Sequence, residues 1–206
     1  MPRGFSPGER IRIEKDLVQA AGALVVQKGF RGTSIDQIVQ TVRIAKGSFY
    51  KFFASKEELI YEAVRQVQTQ ARSQLREAIA NASQDSARNQ LQSVIRSLFQ
   101  ILEANPLLRE ISTTQIMAAL LRGLPEATIR EERVSDDKFF DELFDELRER
   151  QAIEEPRRQV FGGIPRLVLA MVLQKDMLGL PQYEELKEVL GSALAAELAP
   201  QPPRRS

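Results

Sequence analysis

The chain has 206 residues and a formal net charge of +1, with 43% hydrophobic and 28% charged residues. This composition is typical of a globular protein with a substantial core. The sequence contains no Cys and no His, which excludes disulfides, thiolate metal ligands, a cysteine nucleophile and the commonest general base. We therefore expect no catalytic residue, no metal site and no cofactor.

The charge is unevenly distributed along the chain. Residues 1–60 carry ten basic against six acidic side chains, whereas residues 61–206 carry 19 against 22. A basic front part indicates a polyanionic partner for that part alone, although a solvated face explains the same imbalance. The N-terminus lacks a secretion signal, and the most apolar stretch, LVLAMVL at 167–173, is far shorter than the ~20 residues of a membrane helix. We expect a cytoplasmic protein without a membrane partner.

Apolar residues at helical spacing predict four helices in the first 80 residues. The first begins near Ile13 and ends before Gly29. Thr33 and Asp36 then form the pattern of a capping box, which predicts a short second helix over 34–40. A third short helix is predicted over 45–51, within the stretch RIAKGSFYKFF, and a fourth from Ser55 to about Ala80.

The rest of the chain also predicts helices, at about 86–104, 106–121, 125–150, 157–178 and 182–198. The helix at 125–150 is either continuous or broken near Ser135. The predicted fold is therefore all-α, with an N-terminal three-helix helix-turn-helix domain and a C-terminal helical bundle for dimerisation and ligand binding. The predicted domains are 1–55 for DNA binding, 56–82 as a connecting helix and 83–200 for effector binding and dimerisation. Residues 201–206 are predicted to be a disordered tail.

The second and third predicted helices have the spacing of a helix-turn-helix, in which the second helix of the pair enters the DNA major groove. Lys46 lies at the start of that helix, and Gly47 permits a close approach of the backbone. Ser48 suits a base edge or a phosphate, while Tyr50 and Lys51 suit phosphates. An ordinary amphipathic hairpin with a solvated basic face has the same pattern. Phe49 and Phe53 are interpreted as core residues.

The stretch GFRGTSIDQIVQTVRIAKGSFYKFFASKEELI, residues 29–60, resembles the DNA-binding domain of the TetR family of bacterial regulators. The resemblance rests on the segments GF, TSI, KGSFY and SK in their order and spacing, and it covers about a quarter of the chain. It implies that Thr33 and Lys56, each at a helix start, hold phosphates. The full set of predicted DNA-binding residues is Thr33, Ser34, Gln37, Thr41, Arg43, Lys46, Gly47, Ser48, Tyr50, Lys51 and Lys56.

Two positions depart from the family pattern. Arg43 stands in the turn where the family usually has Gly, at a place that commonly needs positive φ. Ala45 replaces the usual Ser, so the third helix is expected to lack a side-chain cap. Either Arg43 adopts the left-handed conformation under strain or the turn differs from that of the family. We hypothesise that Arg43 offsets part of the cost by contacting phosphate.

Residues 157–178 are apolar nearly all round, so they need cover on both sides. A partner subunit supplies that cover in one interpretation, and a buried central helix of a monomer supplies it in the other. The predicted dimer interface comprises Leu167, Met171, Leu178, Leu186, Leu190 and Leu194. The predicted effector pocket comprises Phe99, Leu102, Gln115, Met117, Phe140 and Phe144.

The acidic run RVSDDKFFDELFDELRER, 133–150, suits an amphipathic helix with its aromatic residues turned inward, and a multi-carboxylate metal site is the alternative. The resemblance and these features together predict a homodimeric transcriptional regulator. We expect it to be a repressor that a small, largely apolar effector releases from a pseudo-palindromic operator. The alternatives are an activator or architectural factor without an effector, and a helical ligand-binding module or enzyme with a non-functional helix-turn-helix.

Overall fold

The computed structural model describes residues 5–82 and 86–200, and all regular structure within those ranges is helical, which confirms the predicted all-α class. The predicted tail at 201–206 lies outside the described residues. The helices are α1 Pro7–Gly32, α2 Ile35–Val42, α3 Lys46–Phe49, α4 Lys56–Asn81, α5 Ala87–Ala104, α6 Pro106–Ile111, α7 Thr114–Arg122, α8 Glu126–Glu149, α9 Arg158–Leu173, α10 Lys175–Leu178 and α11 Leu180–Leu198, with a 3-10 turn at Glu155–Arg157.

The chain divides into two compact units that interleave along the sequence. The first comprises Met1–Thr69 with Asn105–Ile129, and the second comprises Gln70–Ala104 with Arg130–Ser206. The predicted functional domains follow chain order instead, because sequence periodicity carries no information on which later helices return to an earlier core. Their boundaries stay a prediction.

The first unit is built on α1, which packs against α2 and α6. Its buried face includes Leu17, Ala21 and Val25, at the helical spacing of an amphipathic helix. Gly22 lets two neighbours approach closely, because an added Cβ would lie 3.5 Å from Leu107 and 3.8 Å from Ala63. The chain kinks at Gly29, where φ is +75°, a conformation that glycine adopts without strain.

The second unit is a helical bundle in which α5 packs against α9 and α11. One hydrophobic cluster draws side chains from α4, α5, α8, α9 and α11. In α8, Phe139, Leu143, Phe144 and Leu147 are buried, which confirms the amphipathic interpretation of the acidic run. Among the described residues, no three acidic side chains converge as metal ligands.

Several predicted helix boundaries were wrong, for local reasons. The first helix starts earlier than predicted because Ser6 and Glu9 form a capping box. The predicted helix 106–121 is divided at Ser112 and Thr113. By contrast, α8 runs without a break through Ser135, whose hydroxyl accepts a hydrogen bond from Arg72 at 2.8 Å.

The predicted helix 157–178 was also wrong at its C-terminal end. It stops at Leu173, and the short α10 follows. Gly179 then takes a φ of +76°, and α11 begins at Leu180. Positive φ at a glycine ends a helix, and Gly179 does so directly after Leu178, where the prediction ended. The break after Leu173 lies at Gln174, in a stretch without Gly or Pro, so the sequence carried no signal for it. In the described residues, no helix is both long enough and apolar enough to cross a bilayer.

Candidate nucleic-acid interface

The α2–α3 hairpin begins at a cap that differs from the predicted one by a single residue. Ser34 and Gln37, not Thr33 and Asp36, form the capping box: the Ser34 Oγ accepts a hydrogen bond from the Gln37 backbone N–H at 3.4 Å. The Gln37 Oε1 in turn accepts from the Ser34 backbone N–H at 3.0 Å. Both pairs fit the capping-box pattern, so the sequence alone did not fix the register. Ser34 and Gln37 therefore set where α2 starts.

Thr33 is buried, and its hydroxyl donates a hydrogen bond to the Gly29 carbonyl at 2.9 Å. The Lys56 ammonium donates to the carbonyls of Phe30 and Thr33 at 3.2 and 3.0 Å, and it lies 4.6 Å from the centre of the Phe30 ring. These bonds satisfy carbonyls at the end of α1, as basic side chains do at helix C-termini. The structure thus places Thr33 and Lys56 in a structural junction, and their predicted phosphate contacts stay a prediction.

The turn between α2 and α3 contains the departure from the family pattern. Arg43 has φ 60° and ψ 43°, in the left-handed region, which is the first of the two alternatives for this turn. Its backbone N–H donates to the Gln40 carbonyl, and the next N–H, of Ile44, donates to the Val39 carbonyl. The Thr41 hydroxyl donates to the Gln37 carbonyl at 2.9 Å. The side chains of Thr41 and Arg43 are exposed.

The third helix is a single turn, Lys46–Phe49, and Ala45 provides no side-chain cap, as predicted. Its one buried side chain is the Phe49 ring, which packs against Phe53, also buried. This confirms the interpretation of Phe49 and Phe53 as core residues. Tyr50 is 55% exposed and meets the Phe49 ring edge-on, so its hydroxyphenyl group lies outside the core.

The outer side of α3 is open. Lys46, Gly47 and Lys51 are exposed, and Ser48 is half-buried. Nothing lies within 4 Å of a Cβ built on Gly47, so another molecule has room to approach the backbone there. The Lys46 ammonium is 2.9 and 3.0 Å from the two carboxylate oxygens of Asp36 on α2. A hydrogen bond with Asp36 is the main cause that raises the pKa of Lys46 above its usual value.

The start of α1 reaches the end of this hairpin, a contact that the sequence analysis missed. Arg10 donates to the Lys51 carbonyl at 3.3 Å and lies 5.1 Å from the centre of the Phe52 ring. Phe5 packs on Phe52 at 5.7 Å between ring centres. The aromatic residues at 5 and 52 were the available signal, but nothing in their spacing showed that they meet across 47 positions. Arg10 and Phe52 thus fix the chain just after α3.

The electrostatic character of the hairpin is strongly basic. Residues 33–56 contain four cations, at positions 43, 46, 51 and 56, and a single acidic residue, Asp36. The structure brings the predicted residues Thr41, Arg43, Lys46, Gly47, Tyr50 and Lys51 together as exposed positions of one short hairpin and the chain just after it. Such a surface suits phosphate and base-edge contacts.

The predicted effector residues are divided between the two units. Phe99 and Phe144 belong to the core of the second unit, and Leu102 and Phe140 pack on it. Gln115 and Met117 lie in the first unit, on α7. A cavity of about 10 Å³ in the second unit is lined by apolar residues of α4, α5, α8 and α9, and Phe140 is the one predicted residue among them.

The predicted dimer residues lie on α9, α10 and α11 of the second unit. Leu167 and Leu186 are 44% and 45% exposed, whereas Met171, Leu190 and Leu194 pack partly on the unit's own core. Leu178 is half-buried. Four further apolar side chains on these helices are exposed, those of Val160, Met177, Leu180 and Val189. Their exposure was not predicted, because periodicity does not show which face of an all-round apolar helix is covered by its own unit.

Comparisons with known proteins match the hairpin region closely. Residues 17–63 match the family model of bacterial regulatory proteins of the tetR family. An uncharacterised HTH-type transcriptional regulator, YuxN of Bacillus subtilis, is 43% identical over 47 residues, which are 23% of this chain and 16% of that protein. The HTH-type transcriptional repressor KstR2 of Mycobacterium tuberculosis is 38% identical over 50 residues. The matched stretch covers 24% of this chain and 25% of KstR2, so the chain matches at most a quarter of the length of these relatives.

The likeness to solved structures extends over nearly the whole chain. A TetR-family regulator from Marinobacter aquaeolei has a TM-score of 0.66 at 16% identity and covers 95% of this chain and 100% of its own. KstR2, a ketosteroid transcriptional regulator, has a TM-score of 0.61 at 19% identity, covering 91% of this chain and 95% of its own. Identity this low shows a shared fold alone. Residues 17–63 thus match the tetR family of bacterial regulatory proteins, and the chain shares the fold of solved TetR-family regulators.

Proposed function

We propose that the protein is a homodimeric, DNA-binding transcriptional regulator. The observation that carries the proposal is the exposed outer side of α3, where Lys46, Gly47 and Tyr50 surround one buried anchor, Phe49. A short helix with cationic and hydroxyl side chains facing out and its ring facing in suits entry into a major groove. The family's regulators and the basic character of residues 33–56 support the same function.

Within this proposal, Lys46, Ser48 and Tyr50 contact the groove, while Arg43 and Lys51 contact the flanking backbone. Lys46 donates to acceptors on a base edge, which are guanine O6 and N7 in the commonest contact of this kind. The functional division keeps the predicted ranges, with 1–55 for DNA binding, 56–82 as the connection and 83–200 for dimerisation and the effector. We propose no catalytic activity, because a chain without Cys and His lacks the commonest nucleophile–base pair.

The exposed apolar side chains of α9 and α11 support the homodimer. Leu167, Leu186 and Val189 are each more than 40% exposed, and burying such side chains against a second copy is favourable. A dimer of this kind presents two copies of α3 to a pseudo-palindromic operator, about 34–36 Å apart or a multiple of that distance. Leu167→Asp and Leu186→Asp should shift the protein to monomer in sedimentation velocity. Val134→Asp, at a more exposed apolar site on α8, should leave the dimer intact.

The apolar cavity of the second unit is the place that we propose for a small apolar effector. Its volume of about 10 Å³ holds at most one water molecule, whereas ligand pockets usually measure ~300–1,000 Å³. An effector therefore has to part the surrounding helices, and its preference for the parted state would change operator affinity. The relative KstR2 is named a repressor, which supports repression as the sign of regulation. Leu98→Phe narrows the cavity and should abolish any effector response while operator binding persists.

Selection from a random duplex library with the full-length protein tests the function. We expect a palindromic consensus whose half-site spacing gives the separation of the two α3 helices. Lys46→Ala and Tyr50→Ala should each weaken binding to that consensus by about tenfold or more, the usual size of one base or phosphate contact. Lys15→Ala removes an exposed cation of α1 and serves as the matched control. Recovery of sequence-independent binding alone would refute a specific regulator.

A further inference from the structure

Asp36 is the one acidic residue among residues 33–56 of the basic hairpin. It lies in the first turn of α2, where a carboxylate is favoured by the helix dipole, and its side chain is 71% exposed. The same carboxylate is unfavourable beside DNA phosphates, because like charges repel at short range. A surface that approaches DNA therefore keeps an acidic group that weakens the approach.

The Asp36 carboxylate forms an ion pair with Lys46. The ammonium lies 2.9 and 3.0 Å from its two oxygens, so the pair links α2 to the first residue of α3 across the turn. Exposed ion pairs contribute little to folding, and both partners here are more than half exposed. The Asp36–Lys46 contact therefore affects which groups Lys46 can bind more than it affects the stability of the first unit.

We propose that Asp36 is a specificity-determining residue, which holds Lys46 across the turn and so penalises binding to DNA that lacks the operator sequence. This inference rests on the proposed DNA-binding function. It assigns to Asp36 the discrimination between operator and non-operator duplexes, not affinity for DNA as such.

Within this proposal, Lys46 makes different contacts in the complex with the operator and in the complex with other DNA sequences. An ammonium has three N–H donors, so at the operator Lys46 keeps its bond to Asp36 and donates another to a neutral acceptor on a base edge. On other sequences the remaining attraction is to phosphate. A phosphate draws Lys46 away from its partner, and Asp36 is left unpaired beside the polyanion. The carboxylate thus disfavours the non-specific complex more than the specific one.

Asp36→Asn tests this inference in the full-length protein. The probes are a fluorescein-labelled duplex with the consensus selected by the wild type and a scrambled duplex of equal composition, each titrated between about 50 and 200 mM salt. We expect affinity for the scrambled duplex to rise about five- to tenfold and affinity for the consensus to rise less than about threefold. The slope of log affinity against log salt on the scrambled duplex should steepen by ~0.9 for each phosphate that Lys46 gains.

Three variants separate pairing from loss of charge. Asp16→Asn removes the charge of an exposed acid on α1 and should leave discrimination unchanged, whereas Asp36→Glu should preserve most of it. In a Lys46→Met background, Asp36→Asn should no longer change the ratio of the two affinities. Thermal unfolding of each variant confirms that it is folded.

The inference is overturned if Asp36→Asn raises both affinities equally. It is also overturned if the ratio still falls in the Lys46→Met background, or if Asp16→Asn lowers the ratio as much. Failure of the proposed function gives a different result, because the wild type itself would then show no preference for any selected duplex.

Discussion

Two turns of the molecule share one strained backbone conformation. Arg43, between α2 and α3, has φ 60°, and Gln151, after α8, has φ 58°, and they are the two non-glycine residues with positive φ among those described. In both turns the N–H of this residue donates three residues back, and the next N–H donates five residues back. A left-handed residue with a side chain is disfavoured by about 1–2 kcal/mol relative to the right-handed form.

The two turns differ in what holds them. After Gln151 the chain buries Ala152 and Ile153 in the core of the second unit, and Arg150 donates to the Ile79 carbonyl at 2.9 Å. After Arg43 the chain exposes Ala45 and leaves Ile44 half-buried.

The ion pairs that bracket the two turns differ as well. Arg158 binds Asp145, before the turn in the second unit, and Glu155, after it. At the α2–α3 turn, the exposed ion pair Asp36–Lys46 joins a residue before the turn to one after it. The same strained conformation is therefore fixed by burial and several ion pairs in one unit. In the other it is lightly held, beside the surface that we propose for DNA.

The largest expected effect is on the one buried anchor of α3. Phe49 is fully buried, so Phe49→Ala should lower the free energy of unfolding by about 3–5 kcal/mol and abolish operator binding. Urea denaturation followed by circular dichroism measures the first effect. Tyr50→Ala is the control, since this exposed ring should cost under ~1.5 kcal/mol of stability. A small effect of Phe49→Ala would mean that other contacts hold the turn.

The second largest effect is expected for the residues that follow the two turns, whose truncation should lower stability by different amounts. Ile153→Ala removes a buried side chain and should lower the free energy of unfolding by about 2–5 kcal/mol. Ile44→Ala removes a half-buried one and should cost less than half as much. Equal losses in urea denaturation would show that the α2–α3 turn is held as firmly as the turn at Gln151.

Glycine at the two left-handed positions gives a matched pair. Arg43→Gly and Gln151→Gly should each raise the free energy of unfolding by up to about 1 kcal/mol, because relief of the left-handed conformation exceeds the entropy that glycine adds to the unfolded chain. We expect only Arg43→Gly to weaken operator binding, through loss of a phosphate contact. If Arg43→Gly is more stable and binds the operator unchanged, the phosphate contact of Arg43 is refuted.

The smallest expected effects are changes of folding stability with pH. Hydrogen bonds from Arg158 hold the pKa of Asp145 and of Glu155 below their usual 3.8 and 4.5. A carboxyl whose pKa is lower in the folded state stabilises the fold above its unfolded pKa, and this contribution is lost as pH falls through the folded pKa. The gap in stability between wild type and Arg158→Met should therefore close in acid, below about pH 4.5.

The turn at Arg43 should respond at the opposite end of the pH scale. Asp36 raises the pKa of Lys46 above 10.5, so that pair stabilises below this value and is lost as pH rises through the folded pKa. Lys46→Met should reduce the loss of stability at alkaline pH and leave the loss at acid pH unchanged. If the difference in stability between wild type and Arg158→Met did not change with pH, the pairing of Arg158 with Asp145 and Glu155 would be contradicted.

Local signals predicted the helices and much of the hairpin. Phe49 and Phe53 were interpreted as core residues, not as rings for base stacking, and both are buried. The left-handed conformation as one alternative for Arg43 and the missing cap at Ala45 followed from comparison with a residue pattern in which glycine and serine have clear physical roles.

Contacts between distant residues escaped the sequence analysis. Arg10 on the Lys51 carbonyl and Asp36 on Lys46 depend on how helices pack, which periodicity does not specify. Ser34 displaced Thr33 as the cap because two adjacent hydroxyl residues offered equivalent patterns, and the packing of Thr33 onto Gly29 decided between them.

The single-turn length of α3 has a consequence for how such a protein changes its target. Because Phe49 alone is buried among its four residues, positions 46 and 47 are free of the core, and a Cβ at position 47 meets nothing within 4 Å. Under the proposed function, substitutions at positions 46 and 47 would change the DNA contacts of α3 without disturbing its buried anchor. New operator preferences are therefore accessible by one or two replacements, in natural drift or in the laboratory, as long as Phe49 is kept.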